Sequence, residues 1–270
     1  MELRQQALRA LAIADPQEKV QATQALWAQR AGLTLSASAA LHPGDLHLPG
    51  RPTRPLLKPA RDVPSRSPFT TQGLAALMHA VCHIEFNAIN LALDAVWRFA
   101  GMPDNYYADW LSVAYEESTH FVLVRDHLIT LGFAYGDFDA HDGLWLMCEK
   151  TCNDVVARMA VVPRTLEARG LDATPLIQEK LQRVGTPAAQ EASAILDIIL
   201  RDEVGHVAIG NHWYHWLCER QGLDPVAHDH ALAEKLEAPR LRPPFNTEAR
   251  RRAGFTPEEM KRYENQEARS

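Results

Sequence analysis

Four stretches between residues 72 and 220 carry apolar residues at helical spacing, and each runs for about 25–35 residues before glycine or proline stops it. The first spans Gln72 to Phe99 and stops at Gly101, Met102 and Pro103. The second spans Asn105 to Leu131 and stops at Gly132. The third begins near Asp142 and runs past Ala160; it carries Pro163, which predicts a kink, and then meets Gly170 and Pro175. The fourth starts at Thr186 and Pro187, a capping residue followed by proline in the first turn, and runs to Arg220 before Gly222. Strand-like alternation is nearly absent. The pattern predicts an all-α protein, and four long helices predict a four-helix bundle.

The rest of the chain flanks that region. Residues 2–14 and 17–31 read as short helices, with Asp15 and Pro16 as the start signal of the second. Between residues 42 and 68 stand seven prolines, from Pro43 to Pro68, with Gly44 and Gly50. That density excludes regular helix and central strand and predicts an extended strap on the surface of the main domain. The expected organisation is a helical segment at 1–41, the strap at 42–69, the bundle at 70–222 and an extension packing on it at 223–270. The extension is polar, with Arg240, Arg242, Arg250, Arg251 and Arg252 set among Pro239, Pro243 and Pro244.

Charge and composition narrow the function. The net charge of −6 excludes a surface that is a nucleic-acid footprint throughout. The tail arginines suit salt bridges or a solvated face, or an anionic ligand; RNA is a weaker expectation. No stretch approaches about 20 uninterrupted apolar residues, so no membrane span is expected. The polar opening Met1, Glu2, Leu3, Arg4 is unlike a secretory signal, and the chain is expected in the cytoplasm. Cys82, Cys148, Cys152 and Cys218 form no CxxC pair and read as free thiols of a reducing compartment, with Cys148 and Cys152 on one helix face.

The chemistry lies in a repeated motif. Glu117 and His120 stand mid-way along the second segment, and Glu203 and His206 mid-way along the fourth. Residues three apart share a helix face, so each pair can grip a metal ion. Each motif is preceded by a further acid, Glu116 and Asp202. The stripe around Glu117 holds Trp110, Val113, Phe121, Val124 and Leu128, and that around Glu203 holds Leu196, Ile199, Leu200 and Trp213. Both glutamates therefore lie within apolar faces, where an unpaired carboxylate costs several kcal/mol and a metal pair supplies the missing partner. The first segment adds Glu85, among Met78, Val81, Ala88, Ile89 and Ala92. In the third, Glu149, Asp154 and Glu167 compete. Glu167 is preferred because it precedes Glu203 by 36 residues, close to the 32 that separate Glu85 from Glu117. His79, His83 and His127 are expected in core or surface polar roles, and His212 and His215 among Trp213 and Trp216.

These residues resemble the ferritin-like di-iron carboxylate pattern, in which two helices give one glutamate each and two give Glu-x-x-His. The chain looks like an uncharacterised ferritin-like family beside the tRNA-hydroxylating and rubrerythrin-like branches. The resemblance rests on His83 to Glu85, Glu116 to His120, Ala157 to Gly170 and Arg201 to His206, and covers residues 70–220 and the tail at Pro243 to Asn246. It implies that Glu85, Glu117, His120, Glu167, Glu203 and His206 are the ligands. Glu117 and Glu203 would bridge two ions. Glu116 and Asp202 suit two roles equally, as acceptors for ligand histidines of neighbouring helices or as solvent-facing acids. Carboxylate-rich ligation suits iron, manganese or a mixed pair better than zinc.

Two such ions about 3.5–4 Å apart can reduce O₂, which predicts an oxidase or hydroxylase of a small organic substrate. About 70 residues precede the bundle and about 50 follow it, enough to cover a substrate site, whereas storage cages use barer bundles. Rubrerythrin-type peroxide scavenging would want a CxxC iron site, which is lacking. Iron oxidation or storage or peroxide scavenging, and a non-catalytic metal-binding protein, are the rival readings. A homodimer through bundle faces is also expected.

Overall fold

The computed structural model describes residues 1–267, with side chains to Tyr263. The protein is all-α. Among the described residues the only extended pairings are two isolated bridges, Glu2 with Thr34 and Leu57 with Ala140. The helices fall into two compact units, one of Met1–Trp145 with Pro187–Ala192, the other of Leu146–Thr186 with Ser193–Ser270.

The first unit is built on α1 (Leu3–Leu11), α2 (Pro16–Gln29), α3 (Thr71–Arg98) and α4 (Asp104–Thr130). Their starts follow from local chemistry. Asp15 accepts from Glu18 N with Pro16 in the first turn of α2, and Thr70 accepts from Gly73 N to open α3. Gly101 at φ 79° makes the turn between α3 and α4, which form the main packing of the unit. The strap is held to this unit by backbone and charge. Gly50 N donates to Leu11 O at 2.9 Å, Lys58 N to Ala140 O at 2.8 Å, and Arg51 meets Asp142 at 2.6 Å. Helix α3 is long and apolar enough to cross a membrane by composition, but 78% of its most apolar window is buried within the protein.

The second unit contains most of α5 (Gly143–Lys150), then α6 (Val155–Val161), a wide π-helical turn at Val162–Glu167, and α7 (Ala168–Val184). It continues with α8 (Pro187–Gln221) from Ser193 onward, α9 (Pro225–Lys235), α10 (Thr247–Arg252) and α11 (Pro257–Glu267). The third long segment is thus not continuous. It breaks at residues 151–154, where Asp154 caps α6 through Ala157 N. The buried Arg158 closes the break by donating to Thr151 Oγ1 and Cys148 O, both at 2.7 Å. In consequence Cys152 lies in the turn rather than on a helix face with Cys148. Pro163 is accommodated within the wide turn, which leaves α6 and α7 running on from either side. Gly170 and Pro175 do not end α7, which reaches Val184.

The tail is part of the second unit's core. Ala249, Ala253, Phe255, Met260 and Tyr263 bury themselves with Ala168, Leu171, Val204 and Val207. Arg250 is fully buried, pairs with Asp172 at 2.6 Å and stacks over Phe245, Phe255 and Tyr263. Arg164, also fully buried, pairs with Glu259 and lies over the Tyr214 ring at 4.2 Å.

Candidate metal centre

Helix α3 carries Glu85 inward among Met78, Val81, Ala88, Ile89 and Ala92, all buried. Helix α4 does the same with Glu117 and His120 among Trp110, Val113, Phe121, Val124 and Leu128. The three-residue spacing brings His120 Nδ1 to 3.3 Å from Glu117 Oε2, and the packing of α3 on α4 brings it to 3.4 Å from Glu85 Oε2. Glu85 is 3% exposed, Glu117 fully buried and His120 1% exposed. Two carboxylates thus converge on one imidazole where water is excluded. Burial acts first on His120, to lower its pKa, but hydrogen bonds and charge from Glu117 and then Glu85 overcome this and push it up to about 11.

Helix α8 repeats the motif. Glu203 and His206 are both buried, with His206 Nδ1 3.8 Å from Glu203 Oε1. Within the first unit the buried Glu85, Glu117 and His120 belong to a group of side chains that could hold a metal ion. The donor chemistry fits one: two carboxylates and an imidazole gather in an apolar setting, where a bound cation would neutralise the acids. His206 and Glu167 fall outside that group, although His206 is buried and Glu167 half-buried at the end of the wide turn. Of the other third-segment acids, Asp154 is a helix cap and Glu149 is exposed, which removes both as core-facing ligands.

The acids beside the motifs are half-buried. Asp202 meets Arg201 at 2.8 Å, a surface pairing. The remaining histidines have polar or packing roles. His79 Nε2 accepts from Gly136 N and stacks on Tyr135, and burial drops its pKa to about 4. His83 meets Tyr135 Oη at 2.9 Å, Asn87 Nδ2 at 3.0 Å and His141 O at 3.2 Å. His127 lies 3.5 Å from Glu191, and His212 packs on Trp213, itself beside Trp216. Sequence reasoning gave no role to Arg158 or to the Arg164–Glu259 pair; an arginine at a helical core position was the available signal for each. All four cysteines are free, with Cys82, Cys148 and Cys218 buried.

The chain belongs to the family described as "Protein of unknown function (DUF455)", which it matches over residues 12–261. It is similar to an "Uncharacterized protein" of Haemophilus influenzae (strain ATCC 51907 / DSM 11121 / KW20 / Rd), 49% identical over 267 residues, covering 95% of this chain and 91% of that one. No solved structure matches it.

Proposed function

We propose that the protein is a ferritin-like di-iron carboxylate oxidoreductase that uses O₂ to oxidise or hydroxylate a small organic molecule. In this reading the long helices form one four-helix bundle. Glu85, Glu117, His120, Glu167, Glu203 and His206 would hold the iron pair. Manganese, or a mixed iron–manganese pair, suits the same donors. The observation that carries the reading is the convergence of buried Glu85 and Glu117 on His120. Repetition of Glu-x-x-His on α8, with Glu203 and His206 also buried, supports it. A bound iron pair would supply the electrons for O₂ reduction.

The chain's own residues do the rest. His120 gives up its proton to become a ligand, so metal uptake releases acid. Trp110, Val113, Phe121 and Val124 line the helix face beside Glu117 and His120 and keep water away. Helices rather than loops carry Glu85, Glu117 and His120, which fixes the donors before the metal arrives.

The test is metal analysis of protein from its native host, followed by O₂ uptake and product analysis of iron-loaded protein with a reductant. Two iron equivalents per chain, with O₂ uptake that Glu117→Gln abolishes, are expected. One zinc, or O₂ uptake no higher than the iron-only background, refutes the oxidoreductase reading.

A further inference from the structure

A cleft of about 510 Å³ opens in the second unit between α7 and the segment that joins α9 to α10. Three arginines line it: Arg169 from α7, and Arg240 and Arg242 from the joining segment. All three are exposed, and none forms an ion pair among the described residues. The one acid in the lining, Asp172, is already paired, because buried Arg250 binds both of its oxygens, at 3.2 Å or closer. The cleft therefore presents three uncompensated guanidinium groups. Three positive groups on the lining of one cavity attract an anion to it.

We infer that this cleft binds a small phosphorylated organic molecule. Guanidinium forks match phosphate oxygens in pairs, and here they approach from two separate chain segments, which suits one compact anion. The walls also offer apolar surface: Leu176, 44% exposed, and the half-buried Leu241. Pro239, Pro243 and Pro244 limit the freedom of the segment that carries two of the arginines, which lowers the ordering cost of binding. The volume suits a small molecule, within the roughly 300–1,000 Å³ of such sites. A polynucleotide would want a basic track, whereas this chain carries a net charge of −6. The inference stands apart from the metal reading, because no candidate ligand lines the cleft.

The experiment titrates the full-length, chelator-treated protein with phenyl phosphate by calorimetry, with inorganic phosphate as the comparison. Phenyl phosphate should bind the more tightly of the two. Binding should weaken about tenfold or more in Arg240→Ala/Arg242→Ala and in Arg169→Ala. The control, Arg251→Ala/Arg252→Ala, removes equal charge from α10 outside the cleft and should leave binding intact. All of these positions are exposed, and far-ultraviolet circular dichroism checks that each variant is folded. Equal weakening by the control, equal affinity for the two phosphates, or no saturable binding overturns the inference. So does a single-stranded RNA oligonucleotide that binds through the same arginines and is not displaced by phenyl phosphate.

Discussion

Replacing Glu117 with glutamine should stabilise the metal-free protein and abolish its response to metal. With metal removed, Glu85 and Glu117 face each other across one imidazolium. Their ligand atoms lie no more than 4.8 Å apart, so at an effective dielectric of 20 they repel by about 3.5 kcal/mol or more. The attraction between Glu117 and His120 at 3.3 Å is about 5 kcal/mol on the same scale. Removing the Glu117 charge exchanges these nearly evenly, leaves Glu85 paired with His120, and relieves a desolvation penalty of several kcal/mol. The expected net effect is a gain of about 1–3 kcal/mol. Metal at 100 times its dissociation constant stabilises the parent protein by about 2.7 kcal/mol, or roughly 5–10 °C in Tm for a chain of this size. Thermal melts by circular dichroism, in chelator and with anaerobic Fe(II) or Mn(II), read both quantities. If Glu117→Gln loses about 3–5 kcal/mol in chelator, Glu117 is half of a structural ion pair and the argument fails. An equal metal response in both proteins also refutes it.

Other expectations concern the scaffold. His79 is held near pKa 4 against 6.5 unfolded, so its contribution is complete above pH 6.5 and falls away by up to roughly 3 kcal/mol towards pH 4; urea unfolding of His79→Gln across that window should show a flatter decline. For Glu259, burial alone would raise the carboxyl, but His215, Arg164 and Thr256 N hold it at about 2. Its contribution, roughly 3 kcal/mol, is therefore full above about pH 4.5 and lost as pH falls towards 2, a loss that Glu259→Gln should not show. Arg250→Ala strands Asp172 and should cost about 3–5 kcal/mol in chemical denaturation, while the double change with Asp172→Asn should cost less. On α8, a Cβ at Gly210 would stand 2.4 Å from Pro163 Cβ, so Gly210→Ala should destabilise by about 1–3 kcal/mol; Gly205 faces open space, so Gly205→Ala should gain up to about 1 kcal/mol.

Helices α3, α4 and α8 begin and end within a residue or two of where capping residues, glycine and proline placed them, because those signals act locally. The third segment was harder to read for an equally local reason. Asp154 offers its carboxylate to Ala157 N, and Arg158 can satisfy the carbonyl of Cys148 that a continuous helix would have used. Apolar periodicity continues through residues 151–154 and does not register a polar closure of this kind. Pro163 was visible as a disturbance. Its outcome depended on Gly210, 47 residues later, where the missing side chain lets the ring approach. Arg250 reads in sequence as one more tail arginine, and only the fold shows Asp172 and three aromatic rings around it.

The triad was legible because its residues stand against their surroundings. Other buried charges of the first unit are answered by groups that hydrogen-bond or pair with them. Arg4 donates to the carbonyls of Ser36, Ala37, Ala39 and Trp97, and Lys19 to those of Leu11 and Gly50 and to Asn90. Asp94 is met by Arg98 four residues on, at 2.6 Å. Each of these arrangements holds charge at low cost and ties two chain segments together. Glu85 and Glu117 are arranged differently: two acids are aimed at one imidazole from adjacent helices, with donor atoms converging instead of being spread over backbone groups. Selection for stability alone would favour apolar replacements at such positions, which usually equal or exceed a buried ion pair. An arrangement that spends stability on convergent donors is what a site able to hold a cation requires.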